Sequence, residues 1–96
     1  MKTYLITYDL SKPGQAYTDL IKEIKSVANG YWHHLQSVWI IRSNLSAAQI
    51  RDRLRLHLDA NDELLVAGLN GTWATKGLST EANQWLQTYV SGRAAA

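Results

Sequence analysis

Thr3-Tyr4-Leu5-Ile6-Thr7-Tyr8-Asp9 decides the reading of this chain. The run is β-branched, aromatic and aliphatic, which is the composition of a strand, and it stops abruptly on a carboxylate. A strand that delivers an acid to its end can serve metal-assisted chemistry. The alternative is that Asp9 opens a turn, because Asp is favoured where a chain leaves a strand and Lys12-Pro13-Gly14 follows at once.

Beyond that turn, Tyr17, Leu20, Ile21, Ile24 and Val27 recur at three- and four-residue spacing, as one face of an amphipathic helix requires. Asn29-Gly30 is expected to end it, since both residues tolerate the left-handed conformation of a helix C-terminus. Tyr31 to Leu35 and Ser37 to Arg42 read as two strands, the second strongly β-forming through Val38, Trp39, Ile40 and Ile41. The turn between them, around Leu35 and Gln36, has no Gly to fix its type. Ser46 then caps a second helix, with Gln49 three residues later as in a capping box and Leu45 placed to staple onto Ile50. Its expected buried stripe is Ile50, Leu54, His57 and Leu58. Asp59-Ala60-Asn61-Asp62 breaks the pattern and is a turn, lacking the Gly and distal Glu of a calcium loop. Glu63 to Leu69 follows as a fourth strand with little polar alternation, expected to be covered on both faces. A third helix is predicted from about Ser79 to Val90, with Ala82, Trp85, Leu86 and Tyr89 on its apolar side.

The order strand, helix, strand, strand, helix, strand is that of the ferredoxin-like βαββαβ fold, an α+β antiparallel sheet with both helices on one face, here with an added C-terminal helix. Residues 1–90 form a single domain in this reading, and residues 91–96 a disordered tail. The other sheet face should then be polar, yet apolar residues stand at alternating and adjacent strand positions alike. The third helix can cover part of that face and a second copy of the chain the rest, so a homodimer is expected. The Asn70-Gly71-Thr72-Trp73 and Lys76-Gly77 stretch is where a segment crossing to the partner is sought.

Ninety-six residues suffice for one core but bury a modest share of the surface. Ten Lys and Arg against eight Asp and Glu leave a net charge of +2, so any nucleic-acid surface must be local rather than global. The absence of Cys excludes disulfides, thiol nucleophiles and thiolate metal sites. No leader and no apolar run of membrane-spanning length is read, and a soluble cytoplasmic protein without membrane association is the expectation.

The opening Tyr-Leu-Ile-Thr-Tyr-Asp-Leu, the helix after it and Gln36-Ser37-Val38-Trp39 resemble the small CRISPR-associated protein Cas-two and its relatives, which include the VapD toxins. The likeness covers roughly residues 3 to 70 and is stronger to the stand-alone branch often labelled the SinR family. It implies a ferredoxin-like homodimer whose sheets face one another. It further implies either a metal-dependent endonuclease cutting RNA or DNA at paired aspartates, or a non-catalytic scaffold that holds DNA for the Cas-one integrase. Carried over by position, Asp9 matches the metal-site aspartate, Ser37 the family serine and Trp39 its aromatic. Three departures stand out: His33 and His34 replace an Arg ahead of Ser-Val-Phe, Ile40 replaces a Glu, and no Arg follows Asp9.

Two carboxylates meeting across a two-fold axis could hold Mg²⁺ or Mn²⁺, which take oxygen ligands and keep several waters. One carboxylate per chain is a sparse donor set for this. His33 and His34 point to opposite sides of a strand, so one of them at most joins such a site. The expected nucleic-acid contacts are Lys12, His34, Ser37 and Arg42. Lys2, Lys22, Lys25, Arg51, Arg53 and Arg55 contribute if the fold gathers them, and the three arginines do not share one helix face. Trp32, Trp39, Trp73 and Trp85 are stacking platforms or, more in keeping with their size, core and interface residues. A non-enzymatic scaffold or protein-interaction dimer is the alternative to the nuclease.

Overall fold

The computed structural model describes residues 1–12 and 17–90, and the expected tail at 91–96 lies outside the described residues. The element order is β1 (Lys2–Asp9), α1 (Thr18–Val27), β2 (Tyr31–Leu35), β3 (Val38–Ser43), α2 (Ala47–Leu54), a 3₁₀ turn (Arg55–His57), β4 (Glu63–Gly68) and α3 (Thr80–Tyr89). The strands form one sheet in the order β2-β3-β1-β4 with every neighbouring pair antiparallel, which is the ferredoxin-like arrangement with a C-terminal helix added.

Strand alternation divides the core between the two faces. Tyr4, Ile6, Trp39 and Ile41 point to the side where α1 lays down Leu20, Ile24 and Val27, and α2 lays down Ile50 and Leu54. Leu20, Ile24 and Val27 fall at i, i+4 and i+7, the spacing that keeps one helix face turned to the sheet. On the other face Leu5, Val38 and Ile40 pack with Trp32 against Ala82 and Leu86 of α3. Trp32 anchors that helix by donating its indole N–H to the Ala82 carbonyl at 3.1 Å.

Capping is local and follows the sequence. The Ser46 hydroxyl accepts from the Gln49 amide and the Gln49 side chain accepts from the Ser46 amide, a full capping box, and Ser79 caps α3 through the Ala82 amide. Two details differ from expectation. Asn29 does not adopt the left-handed conformation; Gly30 alone does, at φ +118°, and turns the chain into β2. Helix α2 stops at Leu54 and tightens into the 3₁₀ turn, so His57 leaves the buried stripe and Leu56 is exposed.

The segment after β4 does not leave the chain's own sheet. Leu69 donates its amide to the Thr3 carbonyl at 2.9 Å, and Leu69, Trp73 and Leu78 pack under α3. Within the single chain this segment packs on its own subunit.

Helix α3 is too short to cover the whole second face. Trp32, Ile40, Leu5 and Ala67 form one register row across the four strands, and the first three of these lie in the α3 cluster. In the next row, Leu35, Val38, Thr7 and Leu65, Val38 still reaches the α3 cluster, but the two ends lie bare, with Leu35 47% and Leu65 54% exposed. Within one chain β4 is therefore open on this side at Leu65.

Candidate functional site

Asp9 ends β1 at the margin of that row. Alternation through Leu5 and Thr7 puts it on the same face, and its register partner on β4 is Glu63. Directly opposed residues of an antiparallel pair share a face with Cβ atoms about 5 Å apart, so one chain presents two neighbouring carboxylates where the sequence offered one. Both are exposed, and neither makes an ion pair or side-chain hydrogen bond among the described residues. They border a shallow hollow of about 370 Å³ lined also by Thr7, Tyr8, Leu64 and Leu65.

The chain immediately after Asp9 is fixed by a carboxylate that the sequence reading took only for part of a turn. Asp62 accepts from the Ser11 amide at 2.7 Å, the Ser11 hydroxyl at 2.9 Å, the Tyr17 hydroxyl at 3.2 Å and the Asp59 amide at 2.7 Å. Those donors, led by the Ser11 amide, hold the Asp62 carboxyl below its ordinary range. Asp62 thus ties Ser11, just past the end of β1, to Tyr17 and to the turn before β4.

The remaining expected contacts separate into two groups. Ser37 lies in the β2-β3 turn and His34 near the end of β2, both at the same end of the sheet as Asp9. Lys12 lies three residues past Asp9 and is ion-paired with Asp59 at 3.1 Å, a contact that raises its pKa. Arg42 faces Thr3 at the opposite end, six strand residues or about 20 Å from Asp9. Its guanidinium sits over the Tyr89 ring, 4.3 Å from the centroid, where it holds the C-terminal turn of α3. It is not part of the Asp9 group.

The helical arginines are also occupied. Arg51 and Arg55 both reach Asp52, at 2.9 and 3.6 Å, while Arg53 binds Glu23 of α1 at 2.7 Å. His57 completes that link with Nε2 3.1 Å from the second Glu23 oxygen. These contacts join α1, α2 and the 3₁₀ turn.

The two histidines part to opposite faces, as a strand dictates, and they lie at a bulge. Trp32 pairs with Ile40 but Leu35 with Val38, so β2 carries one extra residue and both His33 and His34 fall opposite Trp39. His34 stands edge-on to Trp32, whereas His33 stacks flat on Trp39 at 3.8 Å between centroids. The bulge accompanies a turn at Gln36-Ser37 in which neither residue has positive φ. Such a turn fits the strand twist poorly by itself.

As a donor set for a cation, the site holds two exposed carboxylates. No cluster of three or more His, Cys, Asp or Glu side chains arranged to hold a metal occurs among the described residues. Mg²⁺ and Mn²⁺ suit such a pair because they are commonly bound through one or two carboxylates, with water and substrate phosphate filling the shell.

The fold and this acidic sheet end define a small ferredoxin-like α+β protein with an open, carboxylate-edged face. Neither a protein-family model nor a curated protein matches the chain. Among solved structures, the crystal structure of a hypothetical protein TT1823 from Thermus thermophilus is similar, with a TM-score of 0.60 at 22% identity over 80% of this chain and 92% of that one. This likeness is one of fold. Among the described residues no helix is long and apolar enough to cross a membrane.

Proposed function

We propose that the chain is a Cas-two-like homodimer associated with nucleic acid, in which Asp9 and Glu63 of each subunit hold Mg²⁺ or Mn²⁺ for endonucleolytic cleavage of RNA or DNA. The observation that carries the reading is the bare acid pair, Asp9 opposite Glu63, beside a row of the sheet whose apolar ends, Leu35 and Leu65, are exposed. A second copy seated on Leu35, Val38, Thr7 and Leu65 covers that row and brings two such pairs to one seam. A bound divalent ion would supply Lewis-acid neutralisation of phosphate charge and an activated water there. The chain's own part is to fix the carboxylates: the β1-β4 register sets their spacing, and Asp62 holds the chain that follows Asp9.

The test is cleavage of labelled RNA and DNA with Mg²⁺ or Mn²⁺, with Asp9→Asn and Glu63→Gln as variants and the mass in solution measured alongside. Metal-dependent cutting lost in both variants, from a protein of twice the chain mass, supports the proposal; cutting retained by Asp9→Asn or in chelator overturns it. The second reading is a non-catalytic scaffold, favoured by the lack of a third metal-ligating side chain near the pair among the described residues. Dimerisation and strand binding without cleavage under either metal would select it.

A further inference from the structure

The outer rim of β2 carries a feature that the acid pair does not use. Tyr31 and His33 both rest on the buried Trp39, Tyr31 tilted at 5.3 Å and His33 stacked at 3.8 Å with an interplanar angle of 15°. Trp39 is locked from below by donating its indole N–H to the Tyr8 hydroxyl at 3.0 Å. Both outer rings belong to exposed residues of an edge strand. The Lys25 ammonium of α1 lies 5.4 Å from the Tyr31 centroid and makes no ion pair among the described residues.

We propose that this rim, Tyr31 and His33 backed by Trp39 and flanked by Lys25, is a stacking surface for single-stranded nucleic acid. Three features of the molecule support it. A flat ring fixed against a buried indole is held in place before it meets a base, so little side-chain freedom is lost when its outer face is covered. The bulge in β2 sets His33 and His34 together opposite Trp39, and it is His33 that lies flat on the indole, a local irregularity of the kind often found next to functional sites. Burial first, and then the neighbouring Lys25 and His34, push the His33 pKa down, with no carboxylate acting on it, so near neutral pH the ring stacks as uncharged imidazole beside an ammonium suited to phosphate. A duplex is disfavoured as the ligand, because its bases are already stacked and paired, whereas unstacked bases of a single strand can lie on such rings.

The inference rests on the nucleic-acid reading above but not on its metal site. Binding is therefore measured in chelator, on both the unmodified protein and Asp9→Asn, with a fluorescent 12-nucleotide single strand, its duplex and an abasic strand of equal length and charge. Both proteins are expected to bind the single strand and to bind the abasic strand and the duplex more weakly. His33→Ala and Tyr31→Ala should each weaken the single strand by about five- to a hundredfold, the range expected for losing one base stack, while leaving the abasic strand unchanged. His33→Phe, which keeps a ring, should retain binding and guards against a variant that merely loosens the edge. Equal affinity for the abasic strand, undiminished binding by His33→Ala, or loss of binding in His33→Phe when circular dichroism shows the fold intact would each overturn the proposal. Loss of cleavage in Asp9→Asn with the stacking pattern unchanged separates the two sites; a protein that binds no strand at low salt removes both.

Discussion

Asp9→Asn should stabilise the protein in chelator and destabilise it, relative to the unmodified chain, once Mg²⁺ is added. Asp9 and Glu63 face each other across an antiparallel pair, where like charges are unfavourable. At a separation of about 5 Å in water the repulsion is about 0.8 kcal/mol. Screening over a Debye length of about 8 Å at physiological salt roughly halves it, to about 0.4 kcal/mol. Asn keeps the side-chain size and removes the charge. With a urea slope of about 1 kcal/mol per molar, typical of small proteins, the midpoint in chelator should rise by about 0.4 M. The cation acts in the opposite sense. Two carboxylates and a mostly aqueous shell suit an affinity of about 1 mM, and 10 mM Mg²⁺ then adds about 1.4 kcal/mol to the unmodified protein. The variant, left with Glu63 alone, should gain far less. Urea unfolding at one fixed protein concentration, in chelator and in 10 mM Mg²⁺, should therefore show the two midpoints exchanging order. If Asp9→Asn is the less stable protein in chelator, Asp9 is serving the turn rather than a ligand, and the reasoning fails.

Leu86→Ala should cost about 2–5 kcal/mol, since Leu86 is 4% exposed between α3 and the sheet and its loss leaves a cavity; a thermal melt followed at the aromatic bands would read it. Leu65→Lys should yield a monomer by light scattering while changing the monomer's own stability by less than about 0.5 kcal/mol, because Leu65 is exposed in the single chain; a dimer that survives places the interface elsewhere. Glu23 is held below its ordinary value near 4.5, first by the His57 hydrogen bond and then by Arg53. A depressed carboxyl stabilises above its unfolded pKa and loses that contribution as pH falls through the folded one, so stability should decline below about pH 4.5. Glu23→Gln should cost about 1 kcal/mol at pH 7, allowing for solvent screening on the Arg53 side, and flatten the acid limb of the stability profile; an unchanged limb would assign acid lability to other carboxyls.

What the sequence revealed is what is decided locally. Ser46 and Gln49 lie within one helical turn, so their capping box is legible without knowing the fold, and the β-branched run Val38 to Ile41 names a strand by composition. Glu63 opposite Asp9 was not legible, because register between distant strands is set by the whole sheet and no local pattern encodes it. The same blindness affected Arg53, whose partner Glu23 sits on another helix, and His57, where the apolar period ran on after the helix had tightened into its 3₁₀ turn. The bulge of β2 escaped for a further reason. A hairpin turn without Gly shows that something must absorb the twist, but not which strand gains the residue.

The eight acidic residues sort themselves by what holds them, and the remainder points to the site. Glu23 joins α1 to α2 and the 3₁₀ turn, Asp52 binds Arg51 and Arg55, Asp59 binds Lys12, and Asp62 gathers four donors. Asp19 and Glu81 lie in the first turns of α1 and α3, where the helix dipole favours a negative charge. Six acids thus have a structural use. The two left over, Asp9 and Glu63, are cross-strand neighbours whose charges oppose each other. Like charges directly opposite are unfavourable, and a cation held between them would offset that cost. A local cost in stability with no return inside the chain is what a ligand-binding position looks like, because the compensating charge arrives with the ligand.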